Sequence, residues 1–81
     1  MYRVYLLECG DKSIYTGITK DLKRRFAEHK KGIGSRYTRV RKVKKILYSE
    51  KAPTLSAAMK REVQIKSWTR ARKKKLVKTG R

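Results

Sequence analysis

The stretch of residues 2–18, YRVYLLECGDKSIYTGI, has the pattern of a β-hairpin and decides the fold. Residues 2–8 are rich in strand-forming side chains, and residues 13–18 form a second, shorter run of the same kind. Residues 9–12 have turn chemistry, because glycine and aspartate tolerate left-handed backbone angles. Gly17 within the second run indicates a β-bulge or a close approach of another group to that backbone.

A first helix is predicted directly after the hairpin, with Thr19 or Asp21 as its N-cap and its end near Lys31. Side chains at positions i, i+3, i+4 and i+7 share one helical face. On this helix that face carries Leu22, Arg25, Phe26 and His29. Gly32 is a stop signal, and residues 32–42 then look like a glycine-hinged basic loop.

The remaining chain predicts one more strand and two more helices. Residues 43–50 fit a third strand, and Thr54 after Pro53 is the expected N-cap of a second helix. Residues 69–77 predict a third, strongly basic helix, and residues 78–81 are expected to fray. The inward stripe expected on the second helix consists of Leu55, Ala58, Met59, Glu62 and Ile65.

The charge balance points to a polyanionic partner. Lys and Arg number 25 against 6 Asp and Glu, which gives a formal net charge of +19. A surface of this kind repels itself, and nucleic acid neutralises it through the release of condensed counterions. A membrane surface is the weaker alternative, because no predicted helix pairs a basic face with a broad apolar face.

The length of the chain and its cysteine content limit the number of domains and the kinds of site that it can contain. A chain of 81 residues has room for one core, so a single domain over residues 1–81 is expected, with a basic C-terminal helix and tail from about residue 69. Cys9 is the sole cysteine, which excludes an intramolecular disulfide partner and a cysteine-based zinc site. No run has the length of a membrane span and no signal peptide precedes the first strand, so a cytoplasmic location is expected.

Three polar residues on the predicted helices are candidates for chemistry. Glu62 lies within the apolar stripe, where it could bind Mg²⁺ or pair with a basic side chain. Arg25 could clamp a phosphate or pair with Glu62. His29 could exchange a proton or simply lie in solvent at the helix end. Residue type and spacing leave both interpretations open for each.

Tyr5 and Tyr15 lie on neighbouring strands of the predicted hairpin. A tyrosine hydroxyl can hydrogen-bond an attacking water or pass its proton to a base. Ordinary strand aromatics that fill one face of a sheet are the alternative, and the pattern alone does not separate the two.

Several motifs, taken in order, resemble the GIY-YIG nuclease superfamily. Residues 3–5 (Arg-Val-Tyr) stand at the first family motif and residues 15–17 (Tyr-Thr-Gly) at the second, with a hairpin-length gap between them. Residues 15–29 are similar to the second strand and first helix of the family, and residues 58–62 to the segment that supplies a metal-binding glutamate. Similarity to the UPF0213-like branch, whose members are small single-domain proteins, is found at residues 37–38, 47–48 and 66–73.

The resemblance implies an α+β fold, with a three-stranded antiparallel sheet flanked by about three helices. It also implies hydrolysis of a phosphodiester bond with one divalent metal ion, Mg²⁺ or Mn²⁺. Tyr5 and Tyr15 would position or activate the attacking water, and Arg25 would bind the scissile phosphate. Glu62 would hold the metal, and His29 falls where relatives place a tyrosine or histidine beside the reacting phosphate. Either Tyr15 or His29 would accept the proton.

Two positions depart from the family pattern. Arg3 replaces the glycine of the first motif, and Ile18 stands where DNA-repair relatives carry a lysine. The prediction is a metal-dependent DNA endonuclease, structure-dependent or non-specific, with branched or repair-type DNA as candidate substrates. One alternative is a catalytically weak or inactive DNA- or RNA-binding module of the same fold. The other is an RNA-associated or ribosome-associated basic protein, with RNA less favoured than DNA.

Two basic segments are expected to contact flanking phosphates, which position a protein on nucleic acid without reading its sequence. They supply Arg36, Arg39, Arg41, Lys42, Lys44, Lys45, Arg70, Arg72, Lys73, Lys74, Lys75 and Lys78.

Overall fold

A three-stranded antiparallel sheet forms the centre of the fold. The computed structural model describes residues 1–80 and places β1 (Tyr2–Cys9) between β2 (Ile14–Thr19) and β3 (Val43–Ala52). The β1–β2 hairpin predicted from the sequence is therefore confirmed, and its turn contains Lys12 with a φ of 69°. The α+β fold with three antiparallel strands, implied by the family resemblance, is confirmed as well.

Within residues 1–80 four helices pack around the sheet, one more than the sequence predicts. They are α1 (Leu22–Lys30), α2 (Arg36–Arg41), α3 (Leu55–Lys66) and α4 (Arg70–Thr79). The added helix is α2, so the prediction of a loop over residues 32–42 is wrong. Ser35 starts α2 because its hydroxyl accepts the backbone N–H of Thr38. None of these four helices is long and apolar enough to cross a membrane.

The other three helices also begin at side-chain N-caps. Asp21 caps α1, Thr54 caps α3 and Thr69 caps α4, each by accepting a backbone N–H three residues further on. Of the two candidates for α1, Asp21 is the cap, while the Thr19 hydroxyl accepts the Asp21 backbone N–H at 3.1 Å. Each such cap contributes about 1 kcal/mol to stability, which matters in a small domain.

The C-terminal segment is more regular than expected. Helix α4 continues to Thr79, and Gly80 closes it with a φ of 74°, donating its N–H to the Leu76 carbonyl at 2.7 Å. Glycine adopts this left-handed angle without a Cβ penalty. The prediction of a frayed tail is therefore wrong for Lys78 and Thr79, and residue 81 lies outside the described residues.

Alternate side chains of β1 enter two separate cores, one on each face of the sheet. On one face Val4 and Leu6 pack with residues of α3 and α4. On the opposite face Tyr5, Leu7 and Cys9 pack with residues of α1 and α2. The sheet therefore separates α3 and α4 from α1 and α2, and Tyr5 belongs to the α1 side.

Helix α3 is rotated relative to the predicted stripe. Leu55 and Met59 are 47% and 53% exposed, so the prediction that both face inward is wrong, whereas Ala58 and Ile65 are buried. The face of α3 that meets the sheet carries Ala58 and Ile65, and beside it Arg61 Nε lies 2.9 Å from a carboxylate oxygen of Glu50 on β3. This part-buried ion pair joins α3 to β3, and hydrophobicity alone would not reveal it.

Candidate active site

Tyr5 and His29 form a buried hydrogen bond at the centre of the site. Tyr5 on β1 and His29 near the end of α1 are each 1% exposed, and the Tyr5 hydroxyl lies 2.9 Å from His29 Nε2. The alternative of a solvated histidine at the helix end is therefore wrong. Phe26 and Leu22 of the same helix face join the adjoining core, which explains why the face turns inward at His29.

Thr38 of α2 extends this hydrogen-bond chain. Its hydroxyl lies 2.7 Å from His29 Nδ1 and 3.2 Å from the Ser35 carbonyl oxygen. A neutral imidazole has one N–H, and two arrangements satisfy both contacts. Either Nδ1 donates to Thr38 and Nε2 accepts from Tyr5, or Thr38 donates to Nδ1 and Nε2 donates to the Tyr5 oxygen.

Both members of the Tyr5–His29 pair are uncharged at neutral pH. Burial and the neighbouring Tyr15 raise the pKa of Tyr5 to about 12, against an opposing effect of Arg25. Burial and the positive charge of Arg25 lower the pKa of His29 below its ordinary value. At neutral pH a protonated phenol therefore faces a neutral imidazole, which has the capacity to take a proton.

Two glycines make room for the pair. A Cβ at Gly17 would collide with the Tyr5 hydroxyl, since Tyr5 lies opposite Gly17 in the β1–β2 register and its ring leans across the glycine. A Cβ at Gly34 would collide with the His29 ring. The close approach to Gly17 expected from the sequence is confirmed, and Gly34 makes a second such approach before α2.

Arg25 projects from α1 next to this pair. One terminal nitrogen donates to the Glu28 carboxylate at 3.0 Å and the other to the Gly34 carbonyl at 2.7 Å. Its partner is thus Glu28 and not Glu62, so the expected alternative of an Arg25–Glu62 ion pair is wrong. Arg25 remains part-buried, close enough to Tyr5 to lower the pKa of that hydroxyl.

Tyr15 extends the group formed by Tyr5, His29 and Arg25 to the protein surface; these four residues are called the cluster below. Its ring lies edge-on to His29, with centroids 5.2 Å apart, and 6.3 Å from the ring of Tyr5. On its other side Tyr37 of α2 lies 5.6 Å away. Tyr15 is half-buried, whereas Tyr5 and His29 are enclosed, so Tyr15 is the phenol that solvent and a substrate can reach.

Glu62 approaches from the opposite side of the sheet. It lies on α3, its side chain is 22% exposed, and one carboxylate oxygen is 3.5 Å from the Lys66 ammonium. Its charge is the smallest of five effects on the pKa of Tyr5. Tyr5, Tyr15 and His29 therefore contact one another and Arg25 lies beside Tyr5, whereas Glu62 makes no hydrogen bond or ion pair with these four within residues 1–80.

The donor set at Glu62 suits a hard, water-rich cation. Among residues 1–80 no three His, Cys, Asp or Glu side chains are grouped so as to enclose a metal ion. Mg²⁺ does not need such a cage, because it keeps several waters and takes one or two carboxylates together with substrate phosphates. A single part-exposed carboxylate with a weak lysine partner fits that requirement, and it does not fit a structural zinc site.

Two of the basic residues predicted to contact nucleic acid have structural partners instead. Arg41 pairs with Asp11 at 3.2 Å and stacks over the Tyr37 ring at 3.9 Å. Arg72 stacks over the Trp68 ring at 4.4 Å. Within the described part of the chain, the remaining predicted positions have no carboxylate within 4 Å. They are Arg36, Arg39, Lys42, Lys44, Lys45, Arg70, Lys73, Lys74, Lys75 and Lys78.

Sequence reasoning did not assign Thr38 or Tyr37 to the site. Thr38 orients the imidazole of His29, and Tyr37 contacts the outer side of Tyr15. An aromatic and a hydroxyl inside a basic segment were the available signal. Neither shows its role until α2 folds against α1.

Comparison with known proteins agrees with this fold. The family model of the GIY-YIG catalytic domain matches residues 1–75. The chain therefore belongs to the GIY-YIG family, in the branch formed by the UPF0213 proteins. Membership places it among nucleases and makes nucleic acid the substrate class.

Individual relatives cover nearly the whole chain. A UPF0213 protein of Haloquadratum walsbyi is 47% identical over 77 residues, which are 95% of this chain and 86% of that protein. A UPF0213 protein of Staphylococcus aureus is 44% identical over 75 residues, covering 93% and 92% of the two chains. The solution NMR structure of a UPF0213 protein from Bacillus halodurans is 39% identical, with a TM-score of 0.61, and the match covers 96% of this chain and 84% of that one.

Proposed function

We propose that the chain is a single-domain, metal-dependent endonuclease that hydrolyses phosphodiester bonds in cytoplasmic DNA. The buried Tyr5–His29 hydrogen bond carries this proposal, because it links a phenol to a neutral imidazole beside the part-exposed Tyr15 and Arg25. A strand aromatic that merely filled the sheet would not require a buried, desolvated histidine as its partner. The four side chains bring together a water-binding group, a proton acceptor and a phosphate-binding cation.

Each residue has a role in the proposed reaction. Tyr15 orients the attacking water at the surface, and Arg25 binds the scissile phosphate and stabilises the charge that develops on it. Either Tyr15 or His29 accepts the proton, and the enclosed Tyr5 hydroxyl holds the imidazole of His29 in place. The water oxygen bonds to phosphorus, the bond to the leaving sugar oxygen breaks, and that oxygen takes a proton from solvent.

Glu62 is the residue that would hold Mg²⁺ or Mn²⁺. When bound, the ion would supply Lewis-acid stabilisation of the phosphate oxygens. The chain contributes the carboxylate itself and the neighbouring Lys66, whose ammonium is only 3.5 Å away and is half exposed. Displacement of this lysine is inexpensive, because exposed ion pairs contribute about 0–1 kcal/mol.

The substrate preference follows from the charge distribution. A net charge of +19 with the basic residues dispersed over α2, β3 and α4 favours contacts with phosphates, which fix orientation and do not read bases. We therefore expect structure-dependent or non-specific cleavage, with branched and repair-type DNA as the first substrates to test. RNA is the second choice of substrate.

A catalytically weak binding module of the same fold is the second candidate function. The observation that favours it is the Lys66–Glu62 contact, which places a positive charge on the carboxylate that would bind the metal. The absence of a lysine at Ile18 points in the same direction. Tight binding without a product under any metal condition would support this candidate.

One incubation series separates the two candidates. Purified protein is mixed with branched, flap and plain duplex DNA in Mg²⁺, in Mn²⁺ or in chelator, together with single-stranded RNA in parallel. We expect metal-dependent nicking of DNA that is abolished by Glu62→Gln and retained by Asp11→Asn, a matched carboxylate change in the exposed hairpin turn. Nicking that persists in chelator, or that Glu62→Gln does not affect, would contradict the proposal.

A further inference from the structure

A cavity lies at the outer edge of β2, beside the proposed active site. Its volume is about 300 Å³, at the lower end of the range for small-molecule sites. It is lined by Ile14, Tyr15, Thr16, Tyr37, Lys66 and Lys73. Tyr15 belongs to both the cavity and the proposed catalytic cluster, so the two sites adjoin.

Thr16 gives this cavity an unused hydrogen-bonding group. Its residue is 2% exposed, and its hydroxyl has no hydrogen-bond partner within residues 1–80. Buried side-chain hydroxyls are normally satisfied, and those that are not call for a specific explanation. A rotation of the Thr16 side chain about χ1 would turn this enclosed hydroxyl toward a ligand oxygen in the adjacent cavity.

Two lysines make the cavity positive. Lys73 is the one basic residue of α4 in the described chain that is not fully exposed, and no carboxylate within residues 1–80 lies within 4 Å of its ammonium. Lys66 enters from the end of α3, where its contact with Glu62 connects this cavity to the proposed metal ligand.

We propose that this cavity binds a backbone phosphate of the nucleic-acid strand next to the scissile phosphate. Lys66 and Lys73 supply the charge, the Thr16 hydroxyl donates to a phosphate oxygen, and Tyr37 contacts the adjoining sugar or base. The ligand's identity as nucleic acid rests on the proposed function. The site itself rests on the buried hydroxyl and the two lysines.

The test is an NMR titration of the intact chain in chelator, with a single-stranded thymidine trinucleotide as the probe. We expect saturable shifts of the Thr16, Tyr37 and Lys73 amides. Lys73→Gln and Lys66→Gln should each weaken binding about tenfold, the loss of one charge-assisted hydrogen bond. Lys60→Gln, a matched change at an exposed position of α3, should leave the affinity unchanged.

Thr16→Val separates the proposed contact from general charge attraction. It removes only the hydroxyl, keeps the β-branched shape suited to β2, and should weaken trinucleotide binding without loss of the folded spectrum. Equal weakening in Lys60→Gln and Lys73→Gln, or an unchanged affinity in Thr16→Val, would overturn the proposal. Inorganic phosphate at the same concentrations should not reproduce the shifts, and if it does, the assignment to a nucleic-acid strand is wrong.

These outcomes differ from those that test the nuclease activity. Because the titration is done in chelator, it does not depend on cleavage. If trinucleotide binding behaves as expected while no DNA is nicked, this site stands and the proposed activity fails. If nicking depends on Glu62 while the cavity variants bind normally, the activity stands and the site is refuted.

Discussion

Replacing Tyr5 with phenylalanine tests the hydrogen bond on which the proposed site depends. The change removes one oxygen from a 1% exposed side chain and leaves His29 Nε2 buried without its hydrogen-bond partner at 2.9 Å. A buried polar atom left without a partner costs about 1–3 kcal/mol. In a domain of this size that corresponds to a fall in Tm of roughly 8–16 °C for a loss of about 2 kcal/mol.

A double-mutant cycle followed by urea denaturation isolates the interaction between the Tyr5 hydroxyl and the His29 imidazole. Tyr5→Phe is measured alone and in a His29→Leu background, where the imidazole that needs the hydroxyl has gone. In that background the change should be nearly neutral or stabilising, because both polar partners are then replaced by apolar groups. The coupling free energy should therefore be about 1–3 kcal/mol.

Tyr2→Phe provides the matched control on the same strand. Tyr2 is half-buried, and no side-chain hydrogen bond from its hydroxyl is present in the described chain, so we expect a change within about 0.5 kcal/mol. If Tyr5→Phe costs the same in both backgrounds, or no more than Tyr2→Phe, the phenol and the imidazole do not interact as described. The placement of His29 proposed for the reaction would then be lost as well.

Three further results are expected. Burial and Arg25 lower the pKa of His29 in the folded state, so the unfolded chain binds more protons at acidic pH. The urea midpoint of unfolding should therefore fall as the pH drops below about 6.5. A His29→Leu protein should lack this part of the pH dependence. Gly17→Ala should cost about 1–3 kcal/mol and reduce nicking, because the new methyl group displaces Tyr5; a fully active, equally stable protein would refute this packing. Arg25→Lys should lower nicking by about 100-fold or more with little change in thermal stability, since a lysine keeps the charge and loses the two-pronged contact with Glu28 and Gly34.

Local rules predicted most of the elements, and the family resemblance named the residues of the proposed catalytic site. The hairpin follows from two strand-forming runs around a turn, and the caps at Asp21, Thr54 and Thr69 lie where hydroxyl and carboxylate side chains precede helical segments. The motif order brought Tyr5 and Tyr15 to adjacent strands, as the register confirms. These features depend on residues close together in the chain.

The predictions that are wrong depend on contacts between distant residues. Helix α2 has no apolar periodicity, and it is held by the Thr38–His29 contact nine residues away and by stacking of Tyr37. In α3, Arg61 meets Glu50 of β3, and Met59 lies at the surface. Pattern reasoning treats an arginine as an outward residue and cannot see such a pair.

The most direct test of the central claim is the position of bound Mn²⁺ in a crystal structure of this protein, located by its anomalous scattering. We expect one strong peak on the Glu62 carboxylate, at the outer edge of β2 where Tyr15 reaches the surface, with Lys66 moved away from the carboxylate. A peak elsewhere in the molecule would contradict the proposed metal site. So would a Glu62 side chain directed away from Tyr15 with no metal on it.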